Sequence, residues 1–359
     1  MDASRPGSRD VASGDEGTPP RSKSPFVPID AICPVCGARV RNWSLRKSMF
    51  EVVESDLAGN PVRVKWNEAE WQWVRPMDYA LWFCPACHLA DLPKTFQDEK
   101  ARGKHFDAFQ EAVRAQASKP QAPLGLIGRA VDQGESHLSP SAAFLITLAG
   151  LLGHLAVKPG YRDPERMAHL YLRATAYLGE REPVDRLDPR VLLLLEHVRK
   201  QAPELPADAA DAARRAMEQL DTICRTAREM DPRREVWLLK LIASLARSGG
   251  DAAEGAAAAR RCFERTLVLR NETRERLQKQ RGLVGGARDK VENLLEWLGH
   301  QSDEARDLQQ SCLEEVVAVE LPRLQERLRD HVGPIGEDLA RELLGEGFRE
   351  VTIRRYTPR

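Results

Sequence analysis

Two hydrophobic periodicities divide this chain. Val62, Val64 and Trp66 alternate with Arg63 and Lys65, and Tyr79, Leu81 and Phe83 alternate with Ala80 and Trp82. A period of two predicts strands, and Asp56–Pro61, with its Gly59-Asn60 pair, predicts a turn before the first of them. Further along, Phe106, Phe109 and Val113 recur at helical spacing and predict an amphipathic helix from about Phe96 to Ala117. Lys119-Pro120-Gln121-Ala122-Pro123 should end it, with Gly125 and Gly128 prolonging a loose stretch.

Helix starts are then written plainly. Asp163-Pro164, Asp188-Pro189 and Asp231-Pro232 each set an N-cap aspartate before a proline at the first helical position, and Ser139-Pro140 does the same. The helices predicted are about Ser141–Val157, Glu165–Leu178, Arg190–Gln201, Ala207–Glu229, Arg233–Arg247, Ala252–Gln280 and Ala287–Leu298, with Gly179 and Gly249 as stops. Ser302-Asp303-Glu304 opens another helix carrying Leu308, Cys312, Val316 and Val319, and Pro322 should kink or divide it. After Gly333-Pro334 come a short helix, Glu337 to Leu344, and an alternating run, Glu350 to Tyr356, suited to an edge strand against the earlier β segment.

Two segments have a tetratricopeptide flavour: Trp237 to Leu245 followed by Ala259-x-x-x-Phe263, and Ala168-x-x-Tyr171-x-x-Ala174. Small residues at those positions let helices approach closely, and such units bury their apolar stripes by stacking on neighbours. Leu277, Val284, Val291 and Leu298 repeat every seventh residue, but the glycines between them argue against a continuous coiled coil.

The fold class expected is α+β, mostly α: a small β-rich four-cysteine zinc-ribbon-like domain followed by an α-solenoid. Its parts are a disordered tail (1–28), a head with its exit helix (29–118), a linker (119–138), a tetratricopeptide-like helical array (139–300) and C-terminal helices with a short strand (301–359). The tail is dominated by Ser, Gly, Pro, Asp and Arg and has almost nothing to bury. Lys+Arg and Asp+Glu balance at 54 each over 359 residues, so global charge points neither to nucleic acid nor to an anionic membrane. The longest apolar run, Ala142 to Val157, is too short to span a bilayer, and the N-terminus lacks the apolar core of a signal peptide. A cytoplasmic location follows as the expectation.

Cysteine changes this picture most. Cys33-Pro34-Val35-Cys36-Gly37 and Cys84-Pro85-Ala86-Cys87 are two Cys-Pro-x-Cys knuckles, and in a reducing compartment paired knuckles read as a four-thiolate metal site. Two thiolates two residues apart sit on one tight turn, the proline sets φ, and Gly37 permits a positive φ after the second sulfur. His88 takes the equivalent place in the second knuckle, which predicts a strained turn there; as a residue it reads as a surface imidazole rather than a ligand. Structural Zn2+ on Cys33, Cys36, Cys84 and Cys87 is the leading reading. Rubredoxin-like iron, a dithiol redox pair and a thiol-switch zinc site are the alternatives. Cys224, Cys262 and Cys312 stand alone on helical stretches and read as small buried apolar residues, and His105 reads as an exposed helix residue.

Arg39, Arg41, Arg46 and Lys47 cluster around Trp43, which would suit a nucleic-acid patch, but Glu51, Glu54, Asp56, Glu68 and Glu70 follow and offset it. No nucleophile–base grouping, zincin helix or phosphate-cradling glycine loop stands in a fitting context. The chain resembles the bacterial family called domain of unknown function 2225. The resemblance is carried by Cys33-Pro34-Val35-Cys36-Gly37, by Pro76-x-x-Tyr79-x-x-Trp82-x-Cys84-Pro85-x-Cys87-x-x-Ala90 with Phe96, and by Tyr171-Leu172-Arg173-Ala174-Thr175-Ala176-Tyr177-Leu178. It departs at His88, where the family usually has Gly, and around Asp56. The resemblance implies a Cys-Pro-x-Cys head on tetratricopeptide-like helices and no activity. The function expected is a non-catalytic zinc-binding scaffold that holds a protein partner on its helical array. The alternatives are a nucleic-acid-binding ribbon and an enzyme whose site forms only in three dimensions; the oligomeric state is not legible.

Overall fold

The computed structural model describes residues 24–55, 61–103, 105–132, 137–179, 187–226, 230–248, 251–279 and 286–332. Among them the chain is mostly helical, with three small antiparallel ribbons near the start. In the first, β1 (Phe26–Ile32) pairs with β2 (Arg39–Leu45), from Phe26 opposite Leu45 to Ile32 opposite Arg39. β3 (Phe50–Ser55) pairs with β4 (Pro61–Trp66), and β5 (Trp82–Phe83) pairs with β6 (Ala90–Asp91). The alternation at Val62–Trp66 is thus a strand, whereas Pro76–Tyr79 is a single helical turn and only Trp82–Phe83 pairs. The proline at the start of that turn favours it, and its Tyr79 hydroxyl accepts from the Leu138 N–H at 3.1 Å.

β1 opens inside the segment read as tail. Phe26 is buried in an aromatic cluster with Trp71 at 5.7 Å and Tyr79 at 5.5 Å between ring centroids, and this contact stabilises the ordered strand against its entropy cost. Residues 1–23, the turn at 56–60 and the short helix and strand expected beyond 333 lie outside the described residues.

The exit segment forms α1 (Pro93–Gln97), a short turn and α2 (Phe106–Ala117). The stretch expected as a linker contains α3 (Pro123–Ala130), with Leu124 and Ile127 buried. Its glycines permit close approach rather than looseness. α4 (Pro140–Leu155) is buried on nearly every side from Ala142 to His154, which a helix apolar all round requires. It packs against α2, α3, β6 and α5 (Pro164–Gly179).

α6 (Pro189–Arg199), α7 (Ala209–Thr226), α8 (Pro232–Ser248) and α9 (Ala252–Lys279) follow, with α5 on α7, α7 on α8 and α8 on α9. The caps act as their sequences require. Ser139 Oγ accepts from the Ala142 N–H, and carboxylate oxygens of Asp163, Asp188 and Asp231 accept from Glu165, Arg190 and Arg233.

α10 (Gly286–Val332) packs along α9 and replaces the two helices expected there. Leu298, Ser302, Ala305, Gln309, Cys312 and Val316 are all buried and three or four apart, so one stripe runs through the expected Ser302 start. Pro322 lies exposed within α10 and does not divide it. The carbonyl that its ring cannot bond is left on a solvated face. No helix among the described residues is long and apolar enough to cross a membrane.

The core cluster is continuous from Phe26 and Cys33 in the ribbons through α4 and α5 to Ala259 in α9. A second cluster, containing Val236, Cys262, Leu298 and Ala305, ties α8, α9 and α10.

Candidate metal centre

Each knuckle is the tip of a hairpin. Cys33–Ala38 joins β1 to β2, and Cys84–Leu89 joins β5 to β6. The backbone bonds repeat: Cys33 N–H donates to Ala38 O at 2.8 Å and Gly37 N–H to Cys33 O at 2.9 Å, while Cys84 N–H donates to Leu89 O at 2.8 Å and His88 N–H to Cys84 O at 2.7 Å. The backbone of Val35 and Cys36 favours the ionised form of Cys33, and that of Ala86 and Cys87 the ionised form of Cys84. Gly37 has φ +75° and His88 φ +61°, so the second knuckle adopts the same left-handed turn without a glycine.

His88 holds that turn because its ring has a place to go. It is buried, not a surface imidazole, lies parallel to Phe83 at 6.2 Å, and fills the space over Gly128 of α3, where a Cβ would overlap its ring. Burial pushes its pKa down, and it stands outside the sulfur cluster.

The sulfurs of Cys33, Cys36, Cys84 and Cys87 all lie within 4.8 Å of one another, with Cys33 to Cys87 at 3.5 Å and Cys36 to Cys84 at 3.6 Å. Those spacings exceed a disulfide of about 2.05 Å and approach the ~3.8 Å set by metal–sulfur bonds of about 2.3 Å at tetrahedral angles. Cys33, Cys84 and Cys87 are buried and Cys36 is exposed. Four ionisable thiols held this close cannot all ionise alone. The Cys33 and Cys87 S–H groups hold the Cys84 pKa down to about 2, and Cys33 and Cys87 are themselves raised, Cys33 to about 12. A bound cation removes that conflict, so these residues fit a metal ion.

The outer contacts were not legible from motif spacing. Gln110 Nε2 donates to Pro34 O at 2.8 Å and Val35 O at 3.2 Å, and Arg114 Nε donates to Val35 O at 2.7 Å. Thus α2 grips the first knuckle through residues one turn apart, while α3 receives the second. Asn42 Oδ1 accepts from Phe83 N–H at 2.8 Å and ties the hairpins together. Partners that orient ligands typically change metal affinity by about 10–100-fold when lost. Gln110→Leu is therefore expected to speed chelator extraction of the metal by about tenfold or more, measured with a chromogenic chelator under native conditions.

A second set of contacts joins the ribbons to α5. Arg173 Nη1 donates to Met77 O at 2.6 Å, the Tyr177 hydroxyl donates to Asp78 Oδ1 at 2.8 Å, and Arg166 reaches Asp91, Thr95 Oγ1 and Ala101 O. Residues 171–178 thus clasp the Pro76–Tyr79 turn. The two remote segments that carried the family resemblance are one contact.

The model of a family described as "Uncharacterized protein conserved in bacteria (DUF2225)" matches residues 29–294 of the 359. The chain belongs to DUF2225. The matched span takes in both knuckles, the α5 clasp and the helices as far as the first turns of α10. No curated protein and no solved structure matches this DUF2225 chain.

Arg39 and Arg41 are exposed on β2, Trp43 of the same strand is half-buried against the core cluster, and Arg46 and Lys47 lie just beyond the strand's end. Arg41 is paired with Asp30 of β1 at 2.9 Å, and Arg46 Nε donates to Ser24 O at 3.2 Å. Cys262 and Cys312 are buried and Cys224 half-buried; burial raises all three thiols, Cys262 to about 11. His105 is half-buried against Tyr161 at 5.0 Å rather than exposed.

Proposed function

We propose that this DUF2225 protein is a non-catalytic scaffold. Cys33, Cys36, Cys84 and Cys87 hold one structural Zn2+ in a zinc-ribbon-like head, and a tetratricopeptide-like solenoid from α4 onward carries a protein partner. The observation that carries this reading is the donor set: four sulfurs all within 4.8 Å of one another are enough to fill a tetrahedral coordination sphere without water or substrate. A site of that kind contributes folding free energy rather than chemistry. The proteins that such arrays suit are those bound along a stacked helical surface, and Leu192 and Leu193 of α6 and Trp237 of α8 are exposed apolar side chains there.

X-ray absorption on the purified protein tests the metal half. Four sulfur neighbours at about 2.3 Å support the reading, and three sulfurs with one light atom would indicate an open, catalytic type of site. Photo-crosslinkers placed at Leu193 or Trp237 in cells test the partner half. One protein trapped at defined positions supports it, and no adduct from either position counts against it.

Nucleic acid is the alternative, because β2 lines up Arg39, Arg41 and Trp43. Arg41 is committed to Asp30, which weakens the patch. Salt-sensitive RNA or DNA binding lost in Arg39→Ala would favour it.

A further inference from the structure

The two knuckles share one turn but meet different surroundings. In the second, Cys84, Cys87 and His88 are all buried, and the His88 ring lies against Gly128 of α3. In the first, Cys36 and Gly37 are exposed, and a Cβ at Gly37 would meet nothing within 4 Å. α2 holds that knuckle through the carbonyls of Pro34 and Val35 and leaves Cys36 exposed.

Of the seven cysteines, all of them among the described residues, Cys36 alone is exposed. A reagent dissolved in water therefore meets the sulfur cluster first at Cys36. Oxidation of cysteine is selective in this way, because it follows exposure and thiolate character, and a metal-ligating sulfur is a thiolate.

A reaction partner lies on the other hairpin. Cys36 Sγ is 3.6 Å from Cys84 Sγ, and small side-chain rotations close such a gap to the about 2.05 Å of a disulfide. A bond between these two would tie the β1–β2 hairpin to the β5–β6 hairpin, as a shared ion does. A bond inside either knuckle would not.

We propose that Cys36 is the oxidation site of a redox switch built on the metal centre. A hydroperoxide oxidises Cys36, and Cys84 then closes a Cys36–Cys84 disulfide that releases the ion while the hairpins stay joined. This rests on the four-sulfur zinc reading. In the first step the Cys36 thiolate attacks the peroxide: an S–O bond forms, the O–O bond breaks, and the departing hydroxide takes up a proton. In the second the Cys84 thiolate attacks the sulfenic acid: the S–S bond forms, the S–O bond breaks, and another hydroxide leaves and is protonated. Two thiolates, one hydrogen peroxide and two protons thus give one disulfide and two waters, with two electrons passing from sulfur to the peroxide oxygens. Cys33 and Cys87 remain, and two sulfurs do not fill the coordination sphere of the ion.

The test treats the full-length, zinc-loaded protein with hydrogen peroxide beside a chromogenic chelator, and maps the cysteines by mass spectrometry. Zinc is expected to appear in step with disulfide, limiting peroxide with dimedone to label Cys36, and the unreduced digest to contain Cys36 joined to Cys84. A phosphine reductant with added zinc should restore the four-sulfur X-ray absorption signal. Cys36→His keeps a donor at that position and is expected to release zinc about tenfold or more slowly under peroxide. Should that variant not bind zinc, the map of the unaltered protein still decides. First labelling at Cys33, Cys84 or Cys87, a disulfide confined to one knuckle, or zinc retained under excess peroxide each overturns the switch and leaves the zinc reading intact. Untreated protein without a four-sulfur site overturns both.

Discussion

Replacing Cys84 by serine is expected to abolish stoichiometric zinc and to lower the melting temperature by roughly 4–8 °C. A metal present at about a thousandfold its dissociation constant contributes about 4 kcal/mol. A chain of this size shifts by roughly 1–2 °C per kcal/mol. Cys84 is fully buried, and its sulfur sits within the group formed with Cys33, Cys36 and Cys87. Without the ion, that group confines protons and negative charge in a space too small to solvate them. Because the core runs unbroken from Cys33 to Ala259, the damage should spread beyond the hairpins. Amide exchange is expected to accelerate in β1, β2, α2 and α5, while α9 and α10, which share their own cluster, keep their protection. Cys224→Ser, half-buried and remote from the sulfurs, serves as the control. Full zinc retention in Cys84→Ser would refute a four-sulfur site. Loss confined to the hairpins would show that the continuous core does not transmit the change.

The second large effect lies at Gly128. A methyl group there overlaps the His88 ring, so Gly128→Ala is expected to destabilise by about 1–3 kcal/mol, as overpacking does, with chelator access to the metal increased. His88→Gly in the same background should recover most of that loss. It removes the obstructing ring and returns the φ +61° position to the residue best suited to it. His88→Gly alone has opposing effects: it relieves about 1 kcal/mol of left-handed strain but leaves a void under α3. Denaturant unfolding of the four proteins gives the coupling directly, and a coupling of about 1–2 kcal/mol is expected for two residues in contact. Additive effects would mean that α3 shifts rather than clashes.

The presence of His88 at a left-handed position thus has a physical account. Sequence shows a residue that the turn disfavours; the fold shows the compensation, a glycine on a different element that leaves room for the ring.

Much of the architecture is legible in the chain, where the signal is local. A Ser or Asp N-cap followed by proline acts within one turn, so α4, α5, α6 and α8 begin where those pairs stand. The Cys-Pro-x-Cys spacing likewise dictates a tight turn, and Gly37 its handedness. What tertiary structure alone decided depends on partners distant in sequence. Ser302 carries a start signal, yet one continuous stripe against α9 keeps it inside α10. The glycines at 125 and 128 read as looseness until α3 is seen with His88 pressed against it. Gln110 and Arg114 have no motif, and Arg173 and Tyr177 stand in a motif that does not reveal their partners, because each acts on a carbonyl or carboxylate from 75 to 99 residues away. A hydrogen bond across that distance leaves no periodicity to read. Only folding, by burying α4 on all sides, sets those side chains against the knuckles and the Pro76–Tyr79 turn.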